Sequence, residues 1–108
     1  MKWDKEQALI SVDGDYELLE DIFLLFVDTY NADMARIEIA YKMKNWKVLS
    51  EAAHSIKGAA LVMGFEDVTI CARKIEHEVK EGLYDNLVQY YNELQGFSQE
   101  LSEFQLSS

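Results

Sequence analysis

From Asp15 onward, Leu19, Ile22, Phe26, Tyr30, Met34, Ile37 and Tyr41 are spaced by three or four residues, the period of an amphipathic helix. This stretch reads as one long helix, or as two with a break near Asn31. Asn45 suits the cap of the next helix, whose inner face is Leu49, Ala53, Ile56, Ala60 and Met63, and Gly64 sits where a left-handed C-cap would end it. Val68, Ala72, Ile75 and Val79 mark a further helix closed by Gly82. Asp85 is the expected cap of the last, in which Leu87, Tyr90, Leu94, Phe97, Leu101 and Phe104 alternate by three and four, the seam of packed antiparallel helices. Ahead of these, Asp4 is expected to cap a short helix ending near Val12, before the turn signal Asp13-Gly14. No segment reads well as a strand. Short connections favour neighbours that run up and down, so the predicted fold is all-α: an up-down four-helix bundle with a short N-terminal cap helix, one domain over residues 1–108.

Composition narrows the class. The chain has 108 residues, no proline and one cysteine, Cys71. A lone cysteine excludes an internal disulfide framework and a cysteine metal cluster, and is read as a small core residue. The longest unbroken apolar run, Ile22 to Val27, is far short of the ~20 residues of a membrane span. The N-terminus mixes Lys2 and Lys5 with Asp4 and Glu6 and does not read as a secretory signal, so a cytoplasmic location is expected. A net charge of −10 makes nucleic acid a poor partner. That charge is uneven: residues 1–35 sum to −7 and 81–108 to −5, whereas 36–80 sum to +2.

The mildly positive middle contains the informative stretch, Ala52-Ala53-His54-Ser55-Ile56-Lys57-Gly58-Ala59-Ala60. At ~100° per residue, His54 lies opposite the centre of the apolar set of its helix, alongside Lys47, Ser50, Glu51, Lys57, Gly58 and Leu61. It therefore reads as solvent-exposed. Gly58, one turn on, sits where glycine costs about 1 kcal/mol relative to alanine, and leaves bare backbone beside the imidazole. Lys57 puts an ammonium within reach of whatever sits on the ring. A nucleophilic nitrogen, a cation and an open wall suit a phosphoryl group.

The string His54-Ser55-Ile56-Lys57-Gly58-Ala59-Ala60, followed by Gly64-Phe65, resembles the phosphorylated helix of histidine-containing phosphotransfer (HPt) domains of two-component phosphorelays. Gly14-Asp15 leading into Glu17-Leu18-Leu19 and Phe26 resembles the family's first long helix. Ile75-Glu76, with Gly82 and Asp85 beyond, resembles its fourth helix and the following turn, so the similarity spans nearly the whole chain. The resemblance implies that His54 is the phosphoacceptor, on the nitrogen farther from the backbone. It implies that Lys57 balances the phosphate charge and that Glu76 holds the other ring nitrogen, while Gly58, from its place one turn beyond His54, is expected to keep the approach open. Read without it, Glu76 is an i,i+4 partner for Lys80, worth a few tenths of a kcal/mol. Lys80 itself is a weaker candidate for a second cation.

The implied activity is that of a relay: a phosphoryl group passes from a receiver-domain aspartate to His54 and on to another receiver aspartate. The alternative is a helical adaptor that docks receivers without transfer. No Gly-rich phosphate loop or Walker sequence is present, so the chain is not read as a kinase acting alone. No cofactor or metal is expected on it; the family pattern puts Mg²⁺ on the partner receiver. Receivers, and a hybrid sensor histidine kinase as a further partner, would meet a surface formed by Lys47, Ser50, Glu51 and Leu61. The chain is expected to act as a monomer without membrane contact. His77, flanked by Glu76 and Glu78, reads as a solvated histidine, and no His-x3-His spacing supports zinc. Trp3 and Trp46 are expected at the bundle ends, with Tyr90, Tyr91, Phe97 and Phe104 in core packing.

Overall fold

The first three helices are each opened by a local chemical choice. In the computed structural model, which describes residues 1–106, Asp4 accepts a hydrogen bond from the Gln7 amide and opens α1, Lys5–Ile10. Asp15 does the same through the Leu18 amide for α2, Tyr16–Lys42, and Asn45 through the Val48 amide for α3, Trp46–Met63. These side chains satisfy amides that the first turn of a helix leaves without a partner. Gly64 ends α3 at φ +78°, the left-handed conformation that favours glycine. α4, Glu66–Lys80, and α5, Leu87–Glu103, complete an all-helical arrangement of five helices, with no strand among the described residues.

α3 packs against α2 and α4, and α5 closes the ring by packing against the same two helices. α1 lies across α2 and α3 at one end. The core runs down the middle through Leu19, Phe26, Tyr30, Ile56, Phe65, Ile75 and Leu94. Tyr30 would be a polar intruder there, but its hydroxyl donates to the Leu94 carbonyl at 2.5 Å and so ties α2 to α5. Burial pushes its pKa above the usual phenol range. Cys71 is buried beside the Tyr90 carbonyl and the Glu93 carboxylate; burial, then Glu93, pushes its thiol up to about 12, so it stays a neutral core residue. Trp3 packs on Phe65 and Phe104 at one end, and Trp46 stacks on Tyr84 with ring centroids 4.0 Å apart at another place in the fold.

One sequence expectation changes, the Asp85 cap, and three others take a sharper form. α1 stops at Ile10, short of Val12, because Asp13 and Gly14 take positive φ and fold a turn that buries Val12. Of the two alternatives for the second element, the single long helix holds: α2 is unbroken at Asn31, whose side chain accepts from Ser98 of α5 instead of competing for its own backbone. Asp85 does not cap α5: Asn86 holds the N-cap position, and its side chain donates to Glu78 of α4 without capping. Tyr90, Tyr91, Phe97 and Phe104 are half-buried at the seams, with the Tyr90 hydroxyl on Glu78 and that of Tyr91 on Glu38. No helix among the described residues is long and apolar enough to cross a membrane.

Candidate phosphotransfer site on α3 and α4

Side chains at α3 positions 50, 54, 57 and 61 follow one another at helical spacing on the side away from the core, because Leu49, Ala53, Ile56 and Ala60 occupy the buried stripe. His54 stands on that outer ridge with 69% of its side chain exposed. α4 packs alongside and presents Glu76, which is only 22% exposed, back toward α3. Glu76 divides its two oxygens: Oε2 lies 3.1 Å from His54 Nδ1, and Oε1 lies 2.8 Å from the Lys57 ammonium.

This division fixes the chemistry of the ring. An ionised carboxylate can only accept, so the proton of the neutral imidazole is held on Nδ1. In that tautomer Nε2, on the other edge of a side chain that is 69% exposed, keeps its lone pair. Glu76 also keeps Lys57 one turn away from the imidazole, where a cation can meet negative charge arriving at Nε2. Gly58 is exposed, and a Cβ built on it would meet nothing within 4 Å, so the wall beside His54 is open. Gly58→Ala should fold normally, with helix propensity rising by about 0.5–1 kcal/mol. Gly58→Glu should keep the helical circular dichroism signal yet lower phosphotransfer at least ~100-fold through bulk and like charge, since a misplacement of ~1 Å already has that effect. Wild-type transfer by the Glu variant would show that nothing approaches over this position.

A shallow groove between α3 and α4 is lined by Lys47, Ser50, Glu51, Glu76 and Lys80 together with Arg73 and His77, and Glu76 joins it to His54. Thus Lys47, Ser50, Glu51 and Lys80 sit along one groove. Leu61 lies farther along the ridge, 58% exposed, and is followed by the exposed Val62. Glu51 also faces Arg36 of α2, at 3.9 Å. His77 is exposed on α4, and no three His, Cys, Asp or Glu side chains among the described residues gather as a metal-ligating group.

Asp33, Arg36 and Arg73, all near the site, escaped the sequence reading. Asp33 of α2 is buried and accepts from the Ser55 hydroxyl at 2.5 Å and from Arg36 at 3.1 Å. Its position was a signal: it lies between Tyr30 and Ile37 on the inward spacing of α2, where a carboxylate needs a partner. Arg73 is the third cation of the groove, and only the packing of α4 beside α3 reveals it.

Comparison with known proteins gives a family and a fold. The sequence model of the Hpt domain matches residues 21–104. Among solved structures, the HPt domain of a sensor hybrid histidine kinase from Shewanella superposes with a TM-score of 0.76. That match covers 94% of this chain and 91% of the other at 14% identity, which is a likeness of fold. None of the curated proteins matches. The family match runs from residue 21 within α2 through α5, including the ridge that carries His54, Lys57 and Gly58, and by it the chain belongs to the Hpt domain family, whose work is phosphotransfer in two-component systems.

Proposed function

We propose that this domain is a phosphorelay intermediate, with His54 as its phosphoacceptor. The observation that carries the reading is the Glu76–Nδ1 contact at 3.1 Å on a ring that is 69% exposed, which leaves Nε2 outward and nucleophilic. In the forward step the Nε2 lone pair attacks phosphorus of a receiver's aspartyl phosphate, a P–N bond forms, and the P–O bond to the aspartate breaks. The aspartate departs as a carboxylate. The ring becomes cationic while Glu76 steadies the Nδ1 proton, and Lys57 offsets charge on the phosphoryl oxygens. The second step reverses these bonds onto another receiver's aspartate. Mg²⁺ belongs to the receiver, and this chain contributes no metal ligand to the scheme.

The groove residues Lys47, Ser50 and Glu51, with Leu61 on the ridge, form the proposed docking surface, and Lys80 is its outer cation. We read the four longer helices as an up-down bundle with α1 as its end cap, acting as a cytoplasmic monomer. The test is incubation with a ³²P-labelled phospho-receiver and Mg²⁺. The expected product is label on this chain that survives base and is lost in acid, as a phosphoramidate is. Normal receiver binding without such label would favour the docking-only adaptor instead.

A further inference from the structure

Resting on the assignment of His54 as acceptor, we propose that Ser55 and Asp33 are positioning residues, which set the rotation of α3 about its own axis and so aim His54 at Glu76. A serine in the middle of a helix ordinarily faces solvent or bonds back to its own preceding turn. Ser55 does neither: it is half-buried and donates across the α2–α3 interface to Asp33. At 2.5 Å this is the length of a charge-assisted O–H···O⁻ bond. The second Asp33 oxygen is held by Arg36 at 3.1 Å, and Arg36 also faces Glu51, one turn before Ser55 on α3. α2 therefore grips α3 at positions 51 and 55, on either side of His54.

The lever follows from helix geometry. Ser55 lies ~100° round α3 from His54, so fixing one side chain fixes the direction of the other. The imidazole sits near the ~5–6 Å outer radius of the helix, where a rotation of ~10° moves an atom by about 1 Å. From 3.1 Å, that displacement is enough to break the Nδ1–Glu76 bond. The flanking core residues do not restrain rotation equally well. Leu49, Ile56 and Met63 give α3 its interlocking ridges, while Ala52, Ala53 and Ala60 present little relief, so a directional polar bond adds restraint about the helix axis.

The ring's proton reports directly on this. Long-range ¹H–¹⁵N NMR of the unphosphorylated wild type should show a neutral His54 protonated mainly on Nδ1. Ser55→Ala should shift the population toward the Nε2-protonated form and slow single-turnover transfer about tenfold. Ser55→Thr, which keeps the hydroxyl, should restore both. Asp33→Asn keeps the volume and loses the charged acceptor, and should behave as Ser55→Ala does. Wild-type tautomer populations in Ser55→Ala and Asp33→Asn would overturn the proposal, as would a Thr variant as impaired as the Ala variant. If no protein in the series took up phosphate, wild type included, the phosphocarrier reading would fail, and the tautomer populations would still judge the positioning role.

Discussion

His54→Gln is expected to lower label uptake from a phosphorylated receiver to background, a loss of more than about a thousandfold, with no change in fold. The size of the effect follows from the chemistry: phosphoryl transfer needs a nucleophile with an available lone pair, and an amide nitrogen has none. The structural harmlessness follows from position. The side chain is 69% exposed, glutamine is a good helix former, and its amide can still donate to Glu76. Substitutions at such surface sites usually stay within about 0.5 kcal/mol. The chain offers an internal control, since it has two histidines and the other, His77, is exposed on α4. His77 lines the groove, so His77→Gln, which keeps a polar side chain of similar size there, should still take up label at His54. If label followed His77, or survived in His54→Gln, the acceptor assignment would be wrong, although the family membership would stand.

Much of this arrangement was legible in the sequence because helices advertise themselves locally. The three-and-four spacing of α2, the Asn45 cap and Gly64 all act through neighbours within one or two turns, and each lies where the pattern puts it. Where the local pattern stopped short, the cause was different. At Asn31 it left one helix or two open, and the side chain meets Ser98, sixty-seven residues away, while α2 runs on unbroken; the cap expected of Asp85 passes to Asn86, whose side chain is turned to Glu78. The same distinction separates the parts of the site. His54, Lys57 and Gly58 share one helix face, so their grouping needs only the helical period. The link between Asp33 and Ser55 depends on how α2 lies against α3, which no local period encodes. The inward position of Asp33 announced that a partner existed without saying which.

Gly64→Ala is expected to destabilise the domain by about 3 kcal/mol, lowering Tm by roughly 12–20 °C for a chain of this size. Two effects add. At φ +78° an L-residue in the left-handed region costs about 1–2 kcal/mol. The larger part comes from the N-terminal segment. A Cβ at position 64 would lie 2.3 Å from the Asp4 carbonyl oxygen, a backbone atom that cannot rotate away. Relieving that overlap means moving residues 2–4 outward. That motion strains the Asp4 amide bond to the Gly64 carbonyl at 2.9 Å and the Trp3 indole bond to the Met63 carbonyl at 2.9 Å. It also lifts Trp3 from Phe65 and Phe104. Gly82→Ala separates the two effects, because Gly82 has φ +71° yet its added Cβ would meet nothing within 4 Å. That variant should lose only the conformational share, about 1 kcal/mol, by thermal or urea unfolding. Equal losses at the two positions would mean that the N-terminal segment yields without cost, and that α1 is only loosely held against the end of α3. The expected inequality instead makes Gly64 the point where the close approach of two backbones, more than turn geometry, requires a residue without a side chain.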